Sequence, residues 1–240
     1  MTDRPPATTP SAVDDLFDTA SVLPPDPVDE DGIPLRAVHD REYRVRAFRL
    51  AEDRVLIRGA VRDQKPPGLY IEIDPQPLTI HHMQLDIEVS YPTLEITSAE
   101  VVFESHPHEQ CVSIVDHYEL LVGLSIARGF THRVRELFGG PRGCTHTTAL
   151  IQAMAPVAVQ CFFSLEAANS QEAGSRSAPS SERREEMWAM NLNTCHVWAE
   201  DSDVVTGLRE GVAMGVPVFL RGRLDELGVQ SDDWAPWAED

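Results

Sequence analysis

A change of hydrophobic period close to Pro107 constrains this chain's fold more than any other feature. Before it, apolar and polar side chains alternate, the mark of half-buried strands; after it, apolar residues recur at helical spacing. REYRVRAFRL and DRVLIRGAVRD, parted by Ala51 and Glu52, read as one hairpin, and LTIHHMQLDIEVSYP with TLEITSAEVVFE reads as a second. CVSIVDHYELLVGLSIA, THRVRELFGG and THTTALIQAMAPVAVQCFF then read as helices, with Gly129 and Gly139–Gly140 as stops. Strands first and helices second give an α+β fold: an antiparallel sheet of hairpins with helices packed on one face. No internal repeat interrupts the pattern.

Two soft stretches set the domain limits. Residues 1–38 carry seven prolines and eight acids against two arginines, a composition that buries too little to offset chain entropy, and read as a disordered acidic arm. Residues 167–184, rich in Ser, Ala and Gly, read as a loop or linker. The main domain then covers 39–166, a C-terminal lobe covers 185–230, and 231–240 form a tail.

The formal charge of −19 repels phosphate backbones and anionic lipid, which argues against nucleic acid and membrane partners. The first residues lack a basic flank followed by an apolar run, and no later stretch reads as long enough to span a bilayer, so a cytoplasmic protein is expected. Cys111, Cys144, Cys161 and Cys195 are then read as free thiols or metal ligands rather than disulfides. Oligomeric state is left open.

The most informative short stretch is GGPRGCTHTTALIQAM, residues 139–154, where glycines and an arginine lead into a helix. Thr145 suits the N-cap, which places Cys144 beside the free N–H groups of a helix start, with Arg142 nearby; this setting favours a thiolate. His146 shares a helical face with Leu150, Ala153 and Val157, the face expected to pack inward. A lone histidine there is most often a satisfied core residue, but a neighbouring thiol and a second inward histidine favour chemistry.

That second histidine is His81, which shares strand parity with Met83, Leu85, Ile87 and Val89, whereas His82 faces outward. In the preceding hairpin Val55, Ile57, Gly59 and Val61 set an inward parity that reaches Asp63 at the strand end. Cys111 opens the first helix after ESHPHEQ, and Cys195 sits beside His196; for each, a small buried hydrophobe is the plain alternative. Cys161, between apolar neighbours, reads as core.

HHM at 81–83, the HPHEQC run ending at Cys111, LVGLSIARGF at 121–130, GGPRGCTHT at 139–147 and TCH at 194–196 together resemble a bacterial family catalogued as domain of unknown function 2889 (DUF2889). The resemblance spans about residues 39–215, and Gly143-Cys144-Thr145-His146 is its most specific part. It singles out His81, Cys111, Cys144 and His146, and strand parity with helix phase places them in one expected cluster. The chain departs from the family pattern at His82, usually aspartate, and around Asp53, where Asp-Gly is usual.

Three functions fit. In the first, His81, Cys111, Cys144 and His146 hold zinc or iron in a metal-assisted hydrolase, lyase or hydratase acting on a small organic acid or acyl substrate. In the second, Cys144 is a nucleophile, with His81 or His146 as base, Asp63 as supporting acid, and Arg142, Thr145 or the helix start holding the substrate. In the third, the corner is structural and the protein is a small-molecule-binding or adaptor domain. No Ser-His-Asp order, phosphate loop or dinucleotide fingerprint is present.

Overall fold

The structure, a computed structural model, describes residues 21–172, 181–212 and 215–229. Four strands, β1 (Asp40–Ala51), β2 (Arg54–Lys65), β3 (Leu78–Ser90) and β4 (Glu95–Ser105), form an antiparallel meander in sequence order. The alternation falls as expected. Val55, Ile57, Val61, Met83, Leu85, Ile87 and Val89 are all buried, while the even positions carry a charged open face on which Arg58 pairs with Asp86 and Arg62 with Glu42. The first turn lies at Glu52–Asp53, one residue later than expected, because Ala51 still pairs with Arg54 across a bulge.

Helix α1 (Phe130–Phe138) is followed by α2 (Thr145–Glu172), which lies on the inner face of the sheet and contacts β1, β2 and β3. Its 28 residues reach about 42 Å at ~1.5 Å per residue, about the length of the strands beneath it. Leu150, Ile151, Met154, Ala158, Cys161, Phe162 and Leu165 form its buried stripe. Ala153 and Val157, expected on that stripe, are only half-buried, so the helix is turned by roughly one position from the phase read in the sequence. Gly59 permits the approach: a Cβ there would stand 2.6 Å from Met154 Sδ. At the far end Arg49 holds Asn169 and Glu172, and the Tyr91 hydroxyl donates to the Ala158 carbonyl.

Several boundaries differ from the sequence reading. Residues 109–121 form a 3-10 segment rather than an α-helix, and Val122–Ile126 then return to bond with Leu94 and Ile96. Gly129, with φ of 94°, starts α1 instead of ending a helix. The expected linker at 167–184 is partly helical, because α2 continues to Glu172 and α3 begins at Ser181; residues 173–180 lie outside the described residues. Helices α3 (Ser181–Asn191), α4 (Asp203–Arg209) and α5 (Val218–Leu227) follow, and Met187 joins the main core. Residues 1–20 of the acidic arm and 231–240 of the tail also fall outside the described residues, and 21–38 are exposed throughout.

One expectation about apolar length is overturned. An 18-residue window of α2 has a mean hydropathy of 1.5, so by length and composition this helix could cross a membrane. The apolar run read in the sequence ends at Phe163, short of the ~20 residues a span needs, but the helix continues to Glu172; its buried stripe is laid on the sheet.

Candidate functional site

Strand register gathers the site. Asp63, two residues from the end of β2, is the direct cross-strand partner of Arg41 on β1 and of His81 on β3, so three side chains of one parity stand in a row. The N-terminal turn of α2 comes down beside this row and adds His146.

Asp63 is 1% exposed and receives every polar contact at the centre. Arg41 grips it as a fork, Nε donating to Oδ1 at 2.6 Å and a guanidinium N–H to Oδ2 at 2.7 Å. His39 Nε2 stands 3.5 Å from Oδ1. His81 Nδ1 and His146 Nε2 lie 3.1 and 3.0 Å from Oδ2, and the two imidazoles stack with centroids 3.9 Å apart.

Hydrogen bonding to Arg41 is the largest influence holding the Asp63 carboxyl well below the ordinary carboxylate range. Burial opposes it, and the charge of Arg41, then those of His146 and His39, add to the lowering. The same fork raises the Arg41 guanidinium further above its ordinary value. An ionised carboxylate can only accept, so both rings present N–H groups to it: His81 through Nδ1 and His146 through Nε2. In a neutral ring this leaves a lone pair on His146 Nδ1, and Cys144 Sγ stands 3.8 Å from that atom. Burial, followed by the neighbouring His81, pushes His146 below the usual histidine value despite the pull of Asp63, which favours this neutral form.

Cys144, not Thr145, occupies the N-cap position: its carbonyl accepts the first bond of the helix, from Thr148 N–H at 2.9 Å, and Thr145 is the first helical residue. Tyr118 in the 3-10 segment fixes this cap. Its hydroxyl accepts from Cys144 N–H at 2.8 Å and donates to the Cys144 carbonyl at 3.3 Å, while its ring stacks on Phe138. Gly143 is required by the tight entry, since a Cβ there would stand 2.5 Å from the Phe138 carbonyl oxygen.

The structure therefore brings Asp63, His81, His146 and Cys144 to one place. Asp63, His81 and His146 each offer a ligand atom within 4.8 Å of the others, a grouping able to hold a metal ion. Among the described residues the thiols of Cys111 and Cys144 are outside that grouping, so the set expected from the sequence is not the compact one. Cys111 is half-buried at the start of the 3-10 segment. Cys161 is core, as expected, and burial pushes its thiol pKa up. Cys195, read as a buried hydrophobe or further site member, is exposed at the N-cap of a three-residue 3-10 turn. Arg142 and Thr145 are exposed beside Cys144, with Arg142 donating to the Arg135 carbonyl.

Sequence reasoning missed His39, Arg41 and Tyr118. Arg41 carried a usable signal, because it shares the inward parity of Val45 and Ala47 on β1 and so aims a cation at the face that holds Asp63.

Fold and site define an α+β protein in which a long helix, laid on an antiparallel meander, delivers a thiol and an imidazole to a buried strand carboxylate. The family model described as protein of unknown function (DUF2889) matches residues 39–160, and the chain belongs to that family. The match includes every residue of the cluster and ends before the TCH run at 194–196, so the resemblance expected to reach about 215 is shorter on its C-terminal side. No curated protein and no solved structure matches the chain.

Proposed function

We propose that the protein is a thiol-dependent hydrolase acting on an acyl derivative of an organic acid, with Cys144 as nucleophile, His146 as general base and Asp63 as the carboxylate that orients it. One observation carries this reading: His146 bridges the other two, with Nε2 at 3.0 Å from Asp63 and Nδ1 at 3.8 Å from the Cys144 sulfur. In the first step His146 Nδ1 takes the thiol proton while Sγ bonds to the acyl carbon; the leaving group departs with that proton, and a thioester remains. Water then loses a proton to His146 and attacks the thioester, releasing the carboxylic acid and restoring the thiol. First-turn N–H groups of α2, which have no carbonyl partner within the helix, are the donors available to the oxyanion. Arg41 positions Asp63, and burial, followed by the neighbouring His81, favours the neutral form of His146. Arg142 and Thr145 are the exposed polar groups beside the nucleophile.

A metal-dependent hydrolase or hydratase is the second reading, favoured by the grouping of Asp63, His81 and His146. The Arg41 fork weighs against it, since the carboxylate is already neutralised and a divalent ion would sit against a guanidinium. Alkylation followed by mass spectrometry separates the two. As a nucleophile, Cys144 reacts faster than Cys161 in folded protein, and Cys144→Ala lowers acyl hydrolysis by ~10²-fold or more. Stoichiometric zinc or iron that disappears in His146→Ala and is retained, with full activity, in Cys144→Ala supports the metal reading. A Cys144 unreactive with and without chelator, in protein free of metal, overturns both.

A further inference from the structure

The end of the sheet that carries the cluster also carries an unusual apolar surface. β2 leaves its last residue, Lys65, two positions after Asp63, and β3 begins at Leu78, three positions before His81. The intervening loop is folded by its own hydrogen bonds, Gly68 N–H to the Asp74 carbonyl at 3.0 Å and Asp74 N–H to the Ile71 carbonyl at 2.9 Å. Yet it turns four large apolar side chains to solvent, Leu69 at 39%, Tyr70 at 64%, Ile71 at 50% and Ile73 at 90% exposure. Val38, exposed just before β1, lies at the same end.

The opposite end is different. There the first hairpin turns through Glu52 and Asp53, and the second through Tyr91 and Leu94, both buried. A folded loop that exposes four large apolar side chains within one short stretch, Tyr70 with the Lys65 ammonium 5.8 Å from its ring centre, points to something that covers them. Its two ends lie on the strands bearing Asp63 and His81, so the nearest chemistry is the cluster itself, where the first-turn N–H groups of α2 are available to an acyl oxygen.

We propose that loop 66–77 is the apolar half of the substrate site, so that the substrate joins a carboxyl-derived head to an extended aliphatic or aromatic body. This inference rests on the acyl reading above for the head group, but the binding of the apolar body stands on the loop alone. The formal charge of −19 disfavours an anionic bilayer as the occupant.

The test uses the full-length protein, a Tyr70→Ser/Ile73→Ser variant whose folding is checked by its melting curve, and Cys144→Ala. Acetate and octanoate binding are measured calorimetrically, and 4-nitrophenyl acetate and octanoate serve as substrates. Octanoate is expected to bind the wild type at least tenfold more tightly than acetate. The same preference is expected in kcat/KM, and the loop variant should reduce both ratios at least tenfold. Equal ratios in wild type and loop variant, or no octanoate preference in the wild type, overturn the proposal. Full ester turnover by Cys144→Ala overturns the thiol mechanism, and the binding ratio then decides the role of the loop by itself. A loop variant that changes only self-association in light scattering, or only co-sedimentation with phosphatidylcholine vesicles, assigns the patch to a second copy or to a lipid surface and also overturns the proposal.

Discussion

Replacing Asp63 with Asn removes one charge and almost no volume, so its effect reports what the carboxylate does electrostatically. The wild-type group is 1% exposed and accepts both arms of the Arg41 fork together with N–H groups from His81 and His146. Breaking a fully buried ion pair costs about 3–5 kcal/mol. Arg41 is more than a third exposed and can be resolvated, which lowers the expectation to about 2–3 kcal/mol at pH 7. Urea unfolding followed by circular dichroism measures it. The pH dependence has a definite sign. The folded pKa of Asp63 is depressed, so its contribution is complete above the unfolded value of ~3.9 and declines by about 1.4 kcal/mol per pH unit as pH falls below it. The gap between wild type and Asp63→Asn should therefore narrow by about 1 kcal/mol between pH 7 and pH 3. A loss below about 0.5 kcal/mol at pH 7, or a gap that does not narrow in acid, would refute the central role given to this carboxylate.

Four further outcomes are expected. His146 should titrate below the usual histidine value of ~6.5 when followed by NMR of its ring protons, and lower still in Asp63→Asn, which loses the charge favouring the protonated ring; a higher midpoint in that variant contradicts the contacts described. Hydrolysis by the wild type should rise as pH climbs through that midpoint, because the neutral ring is the base. Gly59→Ala should destabilise the fold by about 1–3 kcal/mol as the buried Met154 and Leu150 side chains are forced to repack, with an unchanged melting temperature counting against the close approach at Met154. Tyr118→Phe should cost about 1–2 kcal/mol and alter the Cys144 alkylation rate relative to denatured protein, since the N-cap residue loses both of its hydroxyl contacts; an unaltered rate would show that Tyr118 does not position the thiol.

The period-two pattern by itself determined the sheet, its buried face and the inward aim of Asp63 and His81, because alternation is a property of each strand alone. Helical spacing likewise placed His146 near the edge of the stripe that packs inward, and the glycine-rich run into Cys144 marked the start of that helix. Only the tertiary structure decided that Asp63 stands opposite both Arg41 and His81. That register depends on the one-residue shift of the first turn, the bulge after Asp63 and the long loop before β3, none of which local periodicity records. The same limit explains why Asp63, and neither Cys111 nor Cys144, completes the compact grouping. Residue types that bind metals or move protons can be read from a sequence, but which of them share an ångström-scale space is set by strand register and helix docking, the sum of many weak packing contacts spread over the whole core.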